Sequence, residues 1–105
     1  MKNDKIITIK KKIEALKTEI KKLGPMRPGA LRKHQQKKDG EVYGEYWHIS
    51  YTHKGQGHTN YVPKKRLAEI RMEIQNYEKF RKIVDKLISL SIELSKFKTK
   101  NGSSQ

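Results

Sequence analysis

Ile6, Ile9, Ile13, Leu16, Ile20 and Leu23 step along the chain by 3, 4, 3, 4 and 3 positions, with lysines filling the gaps. That spacing predicts a helix over 3–23 with one apolar seam of heptad type. Asn3 or Asp4 can cap its start by accepting from free backbone N–H groups. Gly24 suits the left-handed turn that closes a helix, and Pro25 forbids continuation. A second long run opens at Pro63, whose fixed φ suits a first helical position. It carries Leu67, Ile70, Ile74 and Tyr77, then Phe80, Ile83, Leu87, Leu90, Leu94 and Phe97 after a one-position slip, like a stammer in a heptad pattern. Val84, Ile88 and Ile92 add a second apolar stripe to the same run.

Between the helices, "EYWHISYT" (45–52) alternates, with Trp47, Ile49 and Tyr51 on one face and Tyr46, His48, Ser50 and Thr52 on the other. "HKGQG" offers a turn, and "HTNYV" (58–62) a returning strand. The predicted fold class is therefore mainly α with a small β insertion. It is an antiparallel, coiled-coil-like two-helix hairpin carrying a two-stranded β-hairpin at one end. The predicted division is one domain over 1–98: helix 3–23, turn and basic loop 24–43, β-hairpin 44–62, long helix 63–97. Residues 99–105, small and polar, are expected to be a disordered tail. A helix of roughly 50 Å paired with one of roughly 30 Å leaves apolar surface uncovered. That predicts a homodimer or a protein partner on the face of Leu87, Leu90 and Leu94.

Charge changes the picture from scaffold to binder. The 105 residues are 33% hydrophobic and 34% charged, and the formal net charge is +14. Such an excess costs self-repulsion and points to a polyanionic partner, nucleic acid before membrane. Residues 21–40 carry seven Lys or Arg against the single Asp39, and 61–82 carry seven more against three glutamates. With Tyr43, Tyr46, Trp47, Tyr51 and Tyr61 interleaved, this composition suits phosphates paired with cations and bases stacked on rings. The predicted phosphate contacts are Arg27, Arg32, Lys33, Lys37, Lys38, Lys64, Lys65 and Arg66. Tyr46, Lys54, His58 and Asn60 are the predicted base or sugar contacts. Arg27 of "MRPG", held between Pro25 and Pro28, has the setting of an arginine that enters a minor groove, although a plain turn accounts for the same residues.

Other chemistries find little in the chain. There is no cysteine, so disulfides and thiolate metal sites are excluded. His34, His48, His53 and His58 lack the tight spacing and companion ligands of a zinc site. No paired-carboxylate, Ser/His/Asp or phosphate-loop pattern indicates an enzyme. Asp39, Glu41 and Glu45 read as solvated loop carboxylates. No cofactor is implied. Without an apolar run of about 18 residues or a signal-like N-terminus, the expected setting is cytoplasmic.

"LGPMRPGAL", "YWHISYTHKGQGHTNYVP" and "YEKFRKIVDKLISLSIEL" together resemble a family of small uncharacterised bacterial and phage-borne proteins, a domain of unknown function found beside transposases and in mobile elements. The resemblance covers roughly residues 13–95. Members of that family often carry a Cys-rich stretch where this chain has "RKHQQKKDGEVYGE", so no zinc knuckle carries over. The resemblance implies an accessory role in a mobile element and supplies no activity. The expected function is non-enzymatic binding of DNA or RNA as an accessory or regulatory protein of a mobile genetic element. The alternative is an interaction protein or inhibitor docking on a larger nucleoprotein enzyme, as a phage-borne adaptor would. A structural coiled-coil element comes third.

Overall fold

The structure is a computed structural model that describes residues 2–101, with the side chains of 4–41 and 44–100. The order is α1 (Lys2–Lys22), β1 (Ala30–Lys38), β2 (Glu41–His53), β3 (Gln56–Val62), a short 3-10 turn (Lys64–Arg66) and α2 (Leu67–Asn101). The residues fall into two compact units, one of 24–78 and one of 1–23 with 79–105, so α2 contributes to both.

The sheet-bearing unit holds three antiparallel strands in the order β1-β2-β3. Each hairpin closes on two residues of positive φ: Asp39 (54°) and Gly40 (83°), then Lys54 (52°) and Gly55 (78°). Paired positive φ values are those of a type I′ turn, whose twist matches the strands it joins. β2 reaches further than β3. Beyond the Trp47–Val62 pair, β1 and β2 continue alone as a ribbon to the Asp39–Gly40 turn, with a bulge at Gln36/Lys37.

Ile49, Val62 and Ile70 form the core of this unit at 0%, 3% and 2% exposure, flanked by Leu31, Trp47, Leu67 and Ile74. The start of α2 thus covers one face of the sheet. Arg71 lies over the Trp47 ring, 5.1 Å from its centroid. The break after α1 is tied to the same helix: the Arg27 N–H donates to the Glu73 carbonyl, and Asn76 Nδ2 donates to that of Pro25. Gly29 completes the fit. Its φ is +145°, and a Cβ there would meet Ile49 Cδ1 and Cγ1 at 2.5 Å. Only glycine suits both conditions.

In the helical unit, Ile9 and Ile13 are buried. Leu87, Leu90 and Leu94 are half-buried, and Leu90 shares a groove with Lys12 and Leu16 of α1. Lys5 Nζ sits 5.5 Å from the Phe97 ring centroid, so the two segments run antiparallel. The exposed large apolar side chains described in this unit are Ile7 of α1 and, from the second stripe of α2, Ile88 and Ile92, each at 51%.

The expected fold class is corrected by the strand count. The chain is a helix, a three-stranded antiparallel sheet and a long helix, not a two-helix hairpin with a two-stranded insertion. The segment expected as basic loop, 24–43, contains β1. "ALRKHQQKK" offers one large apolar residue, Leu31, so alternation gave no strand signal. Its pairing comes instead from the Asp39–Gly40 turn, which folds β1 back along β2 whatever its side chains. Helix α2 also runs through 99–101, while 102–105 and the Tyr43 side chain lie outside the described residues.

Candidate nucleic-acid interface

Directly opposed residues of an antiparallel sheet share a face, and every second residue returns to it. Arg32 pairs with His48 and His48 with Tyr61, while His34 pairs with Tyr46. These five side chains therefore stand on the face opposite the Ile49 core. Tyr46 is 39% exposed and Tyr61 68%, large values for aromatic side chains. Ser50 and Thr59, directly opposed, bring their hydroxyl oxygens within 3.4 Å on the same face. Among the described residues of 30–36, 44–52 and 57–61, no carboxylate stands on this face. Glu45 belongs to the other side, where its carboxylate meets Lys33 Nζ at 3.2 Å.

The rings on the open face are ordered. His34 stacks on Tyr46 with centroids 5.2 Å apart and planes at 16°, and on His48 with centroids 3.9 Å apart and planes at 29°. The Nε2 atoms of His34 and His48 lie 3.0 Å apart. Partial burial holds the His48 pKa below the usual histidine value, and the charges of His34 and Arg32 lower it further. Among the described residues no group of three or more His, Asp or Glu side chains could hold a metal.

The residues expected at the interface divide by environment. Arg32 and Tyr46 stand on the open face. Lys37 and Lys38 are exposed on the ribbon, Lys54 in the second turn, and Lys64 and Lys65 in the 3-10 turn. Lys33 is on the helix-covered side with Glu45. His58 stacks on Tyr51, centroids 5.0 Å apart, and Asn60 pairs with Ile49, so both belong to that side too. Arg27 is engaged within the unit, its guanidinium 4.9 Å from the Tyr51 ring centroid. Arg66 donates to Glu69 and Glu73, each at 3.1 Å. The pair with Glu69 raises the Arg66 pKa and lowers that of Glu69.

The chain reading missed His34, His48 and Tyr61 as site residues. Their signal is phase: once β1 is a strand, His34 falls opposite Tyr46, and Tyr61 falls opposite His48. The basic charge is unevenly divided between the two units. Residues 24–78 carry ten Lys or Arg against six carboxylates, whereas 1–23 and 79–105 carry fifteen against five. The helical unit holds most of the excess.

Comparison of the chain with family models, curated proteins and solved structures gives no match. No helix among the described residues is long and apolar enough to cross a membrane.

Proposed function

We propose that the protein binds nucleic acid without enzymatic activity, using the open face of its sheet. The observation that carries this reading is the set Arg32, His34, Tyr46, His48 and Tyr61 on one face, with no carboxylate beside them among the described residues of 30–36, 44–52 and 57–61. Rings offer stacking to bases of any sequence, and a cation beside them takes phosphate. The exposed Lys37, Lys38, Lys64 and Lys65 extend the phosphate contacts beyond that face. The resemblance supports an accessory or regulatory role in a mobile element, and the lack of a long apolar run supports a cytoplasmic setting.

Fluorescence anisotropy with labelled single strands and duplexes tests the reading. Binding in the micromolar range or tighter at physiological salt supports it, and no binding to any nucleic acid removes it. Crosslinking in the native cell, followed by sequencing, then distinguishes DNA from RNA.

A second reading has its own observation. Ile88 and Ile92, one turn apart on α2, are each half exposed, and paired exposed isoleucines suit a protein contact. In that reading the chain is a homodimer or an adaptor on a larger nucleoprotein enzyme. Copurification of a defined protein in place of nucleic acid favours it.

A further inference from the structure

A groove runs between α1 and the C-terminal part of α2, inside the helical unit. Near the end of α1 its rim carries Lys22, Lys79, Lys82 and Lys86 over a floor of Leu23 and Ile83. Lys79, Lys82 and Lys86 are spaced by three and four residues, so one side of one helix presents all three. Lys86 also lines the next stretch of the groove, which Lys12 enters from α1.

All five lysines are exposed, and among the described residues none of them is in an ion pair. Two carboxylates line the groove, Glu19 in the stretch that Lys22 enters and Asp85 in the stretch that Lys12 enters. Like charges three and four residues apart destabilise a helix, and two carboxylates against five lysines do not neutralise the groove. An elongated anion with regularly repeated charge would. The apolar residues lie on the groove floor between the lysines, the reverse of a membrane-inserting surface, where apolar side chains protrude.

We propose that this groove is a track for the phosphodiester backbone of nucleic acid, indifferent to sequence and separate from the open face of the sheet. The inference rests on the nucleic-acid reading above and assigns the helical unit the larger share of the phosphate contacts. Each lysine neutralises one phosphate and releases its condensed counterions, so affinity through the groove falls steeply with salt.

The test is the triple variant Lys79→Gln, Lys82→Gln, Lys86→Gln in the full chain. Glutamine and lysine have similar helix propensity, so circular dichroism should match the wild type. Anisotropy titrations from about 50 to 300 mM salt, with a labelled oligonucleotide, read the slope of log K against log salt. Loss of three contacts should make that slope shallower by about 2–3 units, from ~0.7–0.9 ions released per phosphate. A variant slope equal to that of a wild type that does bind overturns the groove and leaves the nucleic-acid reading standing. A wild type that binds no nucleic acid at low salt overturns both. Equal affinity for polyglutamate of the same charge shows a generic polyanion surface and overturns the assignment to a phosphodiester track.

Discussion

His34 and His48 meet across β1 and β2 with their Nε2 atoms 3.0 Å apart. One ring nitrogen donates and the other accepts, so the contact needs at least one bare nitrogen. A proton on both would set two N–H groups against each other, beside the Arg32 guanidinium. This arrangement, with the partial burial of His48, holds the His48 pKa down in the folded chain.

The pH dependence follows with a definite sign. In the unfolded chain His48 titrates near its ordinary value of about 6.5, whereas the folded chain resists protonation until lower pH. Between those values the unfolded state binds more protons, so this group makes stability fall as pH falls below about 6.5. Above that pH it contributes no slope. Urea midpoints at pH 7.5, 6.5 and 5.5 should decline for the wild type, and His48→Gln should flatten the decline. An equally steep decline in the variant would assign the effect to other groups.

Gly29→Ala should be among the most damaging small substitutions in the chain. The new methyl would need the space of Ile49 Cδ1 at a backbone φ of +145°. Overpacking and an unfavourable φ each cost about 1–3 kcal/mol. A loss near 3 kcal/mol in chemical denaturation is therefore expected. A change below 0.5 kcal/mol would mean that the segment 24–29 does not pack on the sheet.

Tyr61→Ala and Tyr46→Ala should weaken binding to single-stranded nucleic acid without altering its salt slope. Stacking contributes about 1–3 kcal/mol per base, a factor of roughly 5–150 in affinity for each ring that meets a base. Lys64→Gln with Lys65→Gln should do the reverse, flattening the slope by up to about two units. Tyrosine variants that bind as well as the wild type would remove the open face from the interface.

Association is best tested at the exposed stripe. Ile88→Asp with Ile92→Asp should yield a monomer in analytical ultracentrifugation if that face joins two copies, with helicity retained. Leu90→Asp is the poorer probe, because Leu90 is half-buried beside Leu16 in the helical unit and its loss should lower stability first. A wild type that is monomeric at high micromolar concentration excludes the homodimer.

Local sequence determined what local physics controls. Pro25 stops a helix because of its own ring, although Gly24 does not take the left-handed conformation expected of it, and the 3-4 spacing of Ile9, Ile13 and Leu16 makes a seam on any helix. The alternation of Trp47, Ile49 and Tyr51 likewise follows from strand pleating alone. The net charge of +14 is a property of composition. Tertiary structure decided the rest. β1 has almost no apolar pattern, and it is a strand because β2 supplies backbone partners after the Asp39–Gly40 turn. That register put His34 between Tyr46 and His48, and put Asn60 and His58 on the opposite side. A shift of one residue would exchange the two sets, since side chains alternate along a strand. Which cations stay free was local for Arg66, which met Glu69 and Glu73 within its own stretch, but not for Arg27, which met Tyr51, or Lys33, which met Glu45. Pairing of the latter kind depends on contacts between segments far apart in the chain, which no window of sequence contains.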